Sequence, residues 1–280
     1  MNIAAITPDE LAVWSRYVQE ICGIYLDKTK GYLLETRLRG LLQETSARNF
    51  LDLYTKAKAD LTNALRRKII NAITTNETSF FRDTAPFELL RHKLIPELID
   101  RRRRAGTRSV TLRIWSAACS TGQEAYSTAI VLRELTGGQE GYDFRIIGTD
   151  ISDKAVAQAS YGQFSRLELS RGLPTDKMSK YFTEQGEFWK IRDEIRALAS
   201  FRTMNLLQPF SFPAPFDVIF CRNVAIYFTE PDKVRLFKNI AKCLAPDGAL
   251  IIGSTESLTG LCPEFEPQRY LHGVFYRLRS

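Results

Sequence analysis

The stretch Val110 to Ser127 reads V-T-L-R-I-W-S-A-A-C-S-T-G-Q-E-A-Y-S, and its reading decides the fold. In its first half Val110, Leu112 and Ile114 alternate with polar residues, the pattern of a buried strand built from β-formers. From Gln123 to Leu135 the apolar residues Ala125, Tyr126, Ala129 and Ile130 recur with helical period. Between the two halves, Ser116 to Gly122 contains no bulky side chain. Strand, small-residue turn and helix together let a nucleotide-like ligand approach the backbone at the carboxyl end of a strand in a doubly wound α/β sheet. The turn lacks G-x-G-x-x-G, so taken alone it reads equally as an ordinary tight strand–helix connection.

Toward the C-terminus the alternation continues. A strand from Phe144 to Thr149 precedes Asp150, and a helix follows over about 153–160, as expected of an α/β sheet. An acidic residue at the end of the second strand is where nucleotide-binding sheets hold ribose hydroxyls; the competing reading of Asp150 is a helix N-cap. Residues 161–205 break the pattern. Tyr181-Phe182-Thr183 and Phe188 to Ile191 flank a turn with Gly186 and read as a hairpin, to which Ala199 to Met204 adds a third strand. Phe216 to Cys221 resumes the sheet, with Arg222-Asn223 at its carboxyl end and Val224 to Phe228 beyond. A helix from about Pro231 to Leu244, a strand from Ala249 to Ser254 and a last strand from Gly273 to Leu278 complete it, the last antiparallel to the rest.

Toward the N-terminus, residues 7–73 read as all-helical. Thr7-Pro8-Asp9-Glu10 supplies an N-cap, a proline at the first helical position and a capping-box glutamate. Leu11, Trp14, Val18 and Ile21 share a face, and Gly23 ends the helix. A second helix over about 29–43 turns Leu34, Leu38, Leu41 and Leu42 inward and Lys30, Arg37 and Arg39 outward; Asn49 and Asp60 are candidate caps for two more. The segment Thr74 to Asp83 has no period and ends in Phe80-Phe81-Arg82, aromatics ill-suited to an exposed linker. A helix capped by Thr84 then runs to about Arg104 with a kink at Pro96.

Composition narrows the chemistry. The chain of 280 residues carries a formal charge of +7, which fits a nucleic acid or an acidic protein surface as partner. It has five cysteines without a C-x-x-C, as in a reducing cytosol, and two histidines, His92 and His272, remote from other ligand types. A histidine-based metal site and a Ser-His-Asp triad are therefore disfavoured, and so, without a Walker A sequence, is an NTPase. No apolar run is long enough to span a membrane, and the first ten residues lack a secretory signal.

Three strand ends carry candidate ligand groups: the small turn with Ala118 and Glu124, then Asp150, then Arg222-Asn223. In an open α/β sheet these line one crevice, which favours a nucleoside-type site. The motifs T-N-E-T-S-F-F-R-D (75–83), W-S-A-A-C-S-T-G-Q-E-A-Y-S (115–127), G-T-D-I-S (148–152), N-L-L (205–207) and F-C-R-N-V-A-I-Y-F (220–228) occur in the order found in the bacterial chemotaxis receptor methyltransferases of the CheR type. The chain resembles that family over nearly its whole length. The resemblance implies a helical domain (1–73) and an interdomain segment (74–90). A Rossmann-like class I methyltransferase domain (91–280) would follow, with an antiparallel β insertion at about 180–205.

It further implies S-adenosylmethionine as cofactor, S-adenosylhomocysteine as product, and O-methylation of glutamates in the cytoplasmic helices of membrane-bound chemotaxis receptors. The enzyme would be a cytoplasmic monomer associated with receptor arrays, with no nucleic-acid partner, metal or membrane insertion. Asn76, Thr78, Arg82, Ala118, Glu124, Asp150, Asn205, Leu206, Arg222 and Asn223 correspond to cofactor-site positions. Arg82 and Tyr227 fall on the substrate side, with Lys30, Arg37 and Arg39 on the receptor-docking face. The hairpin turn Glu184 to Glu187 is short compared with members that dock a receptor's C-terminal peptide, which argues against tethering. A glutamate is already ionised at neutral pH, so no general base is required. Two rivals are an amino-directed nucleic-acid methyltransferase and a non-catalytic cofactor sensor. The first lacks its [DN]-P-P-[YF] sequence, since Arg222-Asn223-Val224-Ala225 stands there.

Overall fold

The computed structural model describes residues 5–279; Met1 to Ala4, Ser280 and the side chain of Lys28 lie outside that description, and with them the first residues read for a secretory signal. The helical domain comprises α1 (Pro8–Cys22), α2 (Gly31–Glu44), α3 (Phe50–Ala59) and α4 (Ala64–Ile73). Thr7 and Glu10 form the capping box at the start of α1, and Gly23 closes it in the left-handed region at φ 77°. Asn49 caps α3. Asp60 acts from farther out than an ordinary cap: its carboxylate accepts the N–H groups of Thr62 and Leu65, while Asn63 occupies the cap position. Trp14, Val18, Leu34, Leu38, Leu53 and Ile69 pack into this domain's own core.

The helix expected over 84–104 is α5 (Ala85–Leu89), a π-helical turn (Leu90–Leu94) and α6 (Ile95–Arg104). Pro96 has no N–H to donate to the preceding turn, and the wider winding just before it accommodates that loss. Thr84 is helical (φ −46°, ψ −33°) and makes no side-chain cap.

The second domain runs β1 (Val110–Ala117), α7 (Gln123–Thr136), β2 (Tyr142–Asp150), α8 (Asp153–Tyr161), β3 (Gln163–Ser165), α9 (Arg166–Ser170), α10 (Thr175–Tyr181), β4 (Phe182–Gln185) and β5 (Phe188–Ile191). Then come α11 (Asp193–Arg196), β6 (Ala199–Thr203), β7 (Phe216–Cys221), α12 (Glu230–Cys243), β8 (Leu244–Ile252), β9 (Phe265–Tyr270) and β10 (Gly273–Leu278). The main sheet has the order β6-β2-β1-β7-β8-β10-β9, parallel from β6 to β8, with β10 antiparallel to its neighbours. It is a Rossmann-like sheet, whose order reverses direction at β1. Side-chain alternation along β1 serves both faces. Val110, Leu112 and Ile114 join the core that contains Ala129 and Ile130 of α7, while Trp115 and Ala117 join Leu236 and Ile240 of α12.

The inserted sheet corrects one expectation. Its strands are β3, β5 and β4, so the partner of the 182–191 hairpin is Gln163–Ser165. Ala199–Thr203 instead pairs in parallel with β2 and closes the edge of the main sheet. An exposed β2 edge would leave a row of buried-side backbone groups unpaired, and β6 satisfies them. Among the described residues no helix is long and apolar enough to cross a membrane, and all five cysteines are buried and free.

Candidate functional site

The turn after β1 is held in a conformation that few side chains adopt. Ala118, Ser120 and Gly122 have φ of 61°, 50° and 98°. A side chain at Gly122 would meet the Ala159 Cβ at 2.9 Å, so glycine there is required both by conformation and by the approach of α8. The turn is pinned to β2: Cys119 N–H donates to the Thr149 carbonyl at 2.9 Å, and Ser120 N–H donates to Asp150 Oδ2 at 2.8 Å. Left-handed alanine and serine cost about 1–2 kcal/mol each. These bonds offset that cost and leave small side chains facing the crevice.

Asp150 is not the cap of α8. Ser152 is, accepting the Ala155 N–H, while Asp150 Oδ1 accepts the Ser152 N–H at 2.9 Å. Each Asp150 oxygen thus takes one backbone donor and keeps a lone pair for a further one, the requirement for receiving ribose hydroxyls. Burial raises its pKa, against the lowering pull of the Ser152, Ser120 and Ile151 N–H groups.

On the other side of β1, at the end of β7, Arg222 is buried, its side chain 2% exposed. Nη1 donates to Glu124 Oε2 at 2.9 Å, and Nη2 donates to Asp83 Oδ2 at 2.9 Å and to the Arg82 carbonyl at 2.8 Å. Ser116 Oγ donates to the other Glu124 oxygen at 2.7 Å. Arg222 therefore ties the interdomain segment to the first turn of α7 through Nη1 and Nη2, while its buried Nε has no protein partner among the described residues. Arg82 is freer: its Nη1 donates to the Glu77 carbonyl at 3.0 Å.

Asn223 has φ 56°, a left-handed turn that aims it back toward the cavity. Glu256, which the sequence reading did not single out, holds that turn. Its Oε2 accepts the N–H of Asn223 and of Gly253, each at 2.8 Å, clasping the ends of β7 and β8. A Cβ at Gly253 would lie 2.6 Å from that oxygen. Nothing in local spacing marks Glu256 as functional.

The remaining wall comes from outside the sheet. Ser120 Oγ donates to the Asn76 carbonyl at 3.1 Å. Phe80 is buried edge-to-face with Phe164 and Phe182, and Phe81 N–H donates to Ser127 Oγ at 2.9 Å, so these two aromatics anchor the segment. Asn205 Nδ2 donates to the Ile21 carbonyl at 3.2 Å and its Oδ1 accepts the Leu207 N–H, which commits its amide to the joint with α1. Tyr25 N–H donates to the Tyr227 carbonyl at 2.9 Å, joining the loop after α1 to the turn after β7.

These elements enclose a cavity of about 450 Å³. Asn76, Thr78, Arg82, Ala118 and Glu124 line it, as do Asp150, Asn205, Leu206, Arg222 and Asn223, together with Tyr227 and Lys30. Arg37 and Arg39 are not among the described lining residues. Arg37 turns to backbone carbonyls of the interdomain segment, and Arg39 pairs with Glu35 on α2. At the mouth stand Tyr25, Tyr32 and Ile226, respectively 57%, 67% and 49% exposed.

The residues fit S-adenosylmethionine. The cavity volume lies in the range of small-molecule sites. Four carboxylates, Asp27, Glu77, Glu124 and Asp150, line it in a chain of net positive charge, as suits a cationic ligand. Asp150 retains acceptor capacity for ribose, and the small Ala118 and Ser120 leave room beside it. Among the described residues no group of histidine, cysteine or carboxylate side chains is placed to hold a metal.

Known proteins match this chain over both of its domains. The family described as CheR methyltransferase, SAM binding domain, matches residues 76–271, and CheR methyltransferase, all-alpha domain, matches residues 9–74. The chain is similar to the chemotaxis protein methyltransferase of Vibrio parahaemolyticus, 36% identical over 282 residues and covering 100% of both chains. It is similar to chemotaxis protein methyltransferase Cher2 of Pseudomonas putida, 36% identical over 267 residues, covering 94% of this chain and 95% of that one. Among solved structures, a TehB-like SAM-dependent methyltransferase from Corynebacterium glutamicum is 14% identical with a TM-score of 0.37, covering 65% of this chain and 86% of that one.

Proposed function

The chain belongs to the CheR methyltransferase family, and we propose that it methylates glutamate side chains in the cytoplasmic helical region of chemotaxis receptors, forming γ-carboxylate methyl esters. The observation that carries this reading is the make-up of the cavity mouth. Arg82 and Tyr227 line the cavity that holds Asp150 and Glu124, and Tyr25, Tyr32 and Ile226 surround its opening. A carboxylate on a protruding side chain can reach in there, while a helix backbone stays outside.

When bound, S-adenosylmethionine supplies a methyl group on a positively charged sulfonium. Asp150 would hold the ribose, and Asn223, with Glu256 behind it, would border the methionine end. A substrate glutamate has an ordinary pKa near 4.3, so the protein has no proton to remove. Among the described residues no histidine lines the cavity, in keeping with that. Joining an anion to a cation disperses charge that water would stabilise, so the mouth residues serve the reaction by excluding water and fixing the line of approach. Arg82 is suited to orient the carboxylate with a forked hydrogen bond, Arg222 being committed to Glu124 and Asp83. A grip that neutralised the carboxylate fully would stabilise the ground state, so its role is positioning.

Lys30 and Arg39, exposed on and beside α2, form the electropositive face toward an acidic receptor helix. The two residues that join β4 to β5, Gly186 and Glu187, leave little loop for a tethering peptide. The chain would act in the cytoplasm, as a monomer at receptor arrays. Transfer of tritiated methyl groups to receptor-containing membranes tests this directly, with a receptor lacking its target glutamates as control. Label that persists in the control, or that enters RNA instead, contradicts it.

A further inference from the structure

The basic residues of α2 divide between two directions. Arg37 Nη1 donates to the carbonyls of Ile73 and Thr74, the latter at 2.9 Å, and Nη2 donates to Thr75 Oγ1 at 2.8 Å. Ile73 ends α4, and the last carbonyls of a helix have no partner within it and carry the negative end of its dipole. A guanidinium satisfies both needs, and its fork reaches Ile73, Thr74 and Thr75 at once. The next residue, Asn76, accepts the Ser120 Oγ hydrogen bond, and the Ser120 N–H in turn holds Asp150. One run of hydrogen bonds therefore leads from α2, through the interdomain segment, to the carboxylate at the end of β2. α4 itself is fastened to the sheet domain elsewhere: Asn71 Nδ2 donates to Asp153 Oδ1 at 2.6 Å and Ser152 Oγ donates to Asn71 Oδ1 at 2.8 Å. Losing Arg37 would thus loosen residues 74–78 without detaching the helix.

We propose that Arg37 is a positioning residue of the cofactor site, one that fixes Thr74 to Thr78 as a wall of the cavity, rather than a receptor-docking cation like its neighbour Arg39. This inference goes beyond the reading of the substrate and needs only that the cavity binds S-adenosylmethionine.

Its test is calorimetric titration of S-adenosylhomocysteine into the full chain without receptor. Arg37→Ala should weaken binding about tenfold, since it removes charge-assisted hydrogen bonds to a segment that lines the site. Arg37→Lys should fall between, because an ammonium cannot span Ile73, Thr74 and Thr75 together, and Arg39→Ala should bind as the parent does. Amide hydrogen exchange of residues 74–78 in the cofactor-free chain should quicken in Arg37→Ala and stay unchanged in Arg39→Ala. Thr75→Val removes one acceptor at an exposed position and serves if Arg37→Ala fails to fold; it should weaken binding about two- to threefold. Parental affinity and exchange in Arg37→Ala with loss of receptor methylation alone would overturn the proposal and return Arg37 to docking. Parental affinity in Thr75→Val together with an unfolded Arg37→Ala would equally overturn it. Failure of receptor methylation in every chain, with the expected affinities, would leave this inference standing and count against the proposed substrate.

Discussion

Arg222 and Glu124 face each other across the base of the cavity, Nη1 to Oε2 at 2.9 Å, with Asp83 completing the pair from the interdomain segment. Removing one member of a buried ion pair leaves the others charged and unpartnered. Arg222→Ala should therefore cost about 3–5 kcal/mol of stability, measured by urea unfolding, and take cofactor binding with it. Arg82→Ala, at a half-exposed position, should cost under about 1 kcal/mol and reduce kcat for methyl transfer while leaving cofactor affinity within about threefold of the parent. A stable Arg222→Ala chain would show that this network does not hold the segment.

Glu256 separates geometry from charge. Glu256→Ala deprives the Asn223 and Gly253 N–H groups of their acceptor and should lower stability by about 1–3 kcal/mol and weaken cofactor binding. Glu256→Gln keeps an oxygen that can accept both, so it should restore most of the affinity in calorimetric titration. If the glutamine variant behaves like alanine, the charge matters and a clasp is the wrong description.

The turn after β1 makes opposite demands on two substitutions at Ala118. Ala118→Gly relieves a left-handed alanine at φ 61°, so it should leave stability within about 1 kcal/mol of the parent and retain cofactor binding. Ala118→Trp should fill the wall and abolish binding in a folded chain. Circular dichroism with titration of S-adenosylmethionine checks both, and binding by the tryptophan variant would place the cofactor elsewhere.

Asp150 sets a pH dependence whose sign is fixed. Burial raises its pKa above the ordinary carboxylate value, so on acidification it takes up a proton earlier than an exposed aspartate would. Hydroxyl donors need the ionised form. Cofactor affinity should be full above the raised pKa and fall as pH drops through it, at a higher pH than an exposed aspartate would impose. Asp150→Asn should bind weakly throughout with little slope. An equally steep slope in the asparagine variant would assign the titration to another group.

Much of this was legible in residues 110–150, because a central strand and its following helix are long, periodic and separated by a turn of small side chains. The same was true of Phe216 to Asn223. Short elements are harder: Gln163–Ser165 has three residues, too few to show a period, so spacing alone points to the wrong third strand for the inserted sheet. Ala199–Thr203 was recognisable as a strand, but its place at the edge of the main sheet depends on which neighbour lacks a partner. Side-chain direction was the other gap. Helical spacing puts Arg37 and Arg39 on the polar side of α2, yet only the approach of the α4 terminus turns one inward. Glu256 matters through two backbone N–H groups that the chain brings together from separate strand ends, which no local pattern records.

The central claim is that the cavity between the helical domain and the carboxyl ends of β1, β2 and β7 serves methyl transfer to receptor glutamates. Mass-spectrometric mapping of receptor peptides after incubation with S-adenosylmethionine tests it most directly, comparing the parent chain with Asp150→Ala. The expected result is alkali-labile methyl esters on receptor glutamates with the parent and none with the variant. Methyl groups on nitrogen, no modification by a folded parent chain that binds the cofactor, or undiminished esters with Asp150→Ala would contradict it.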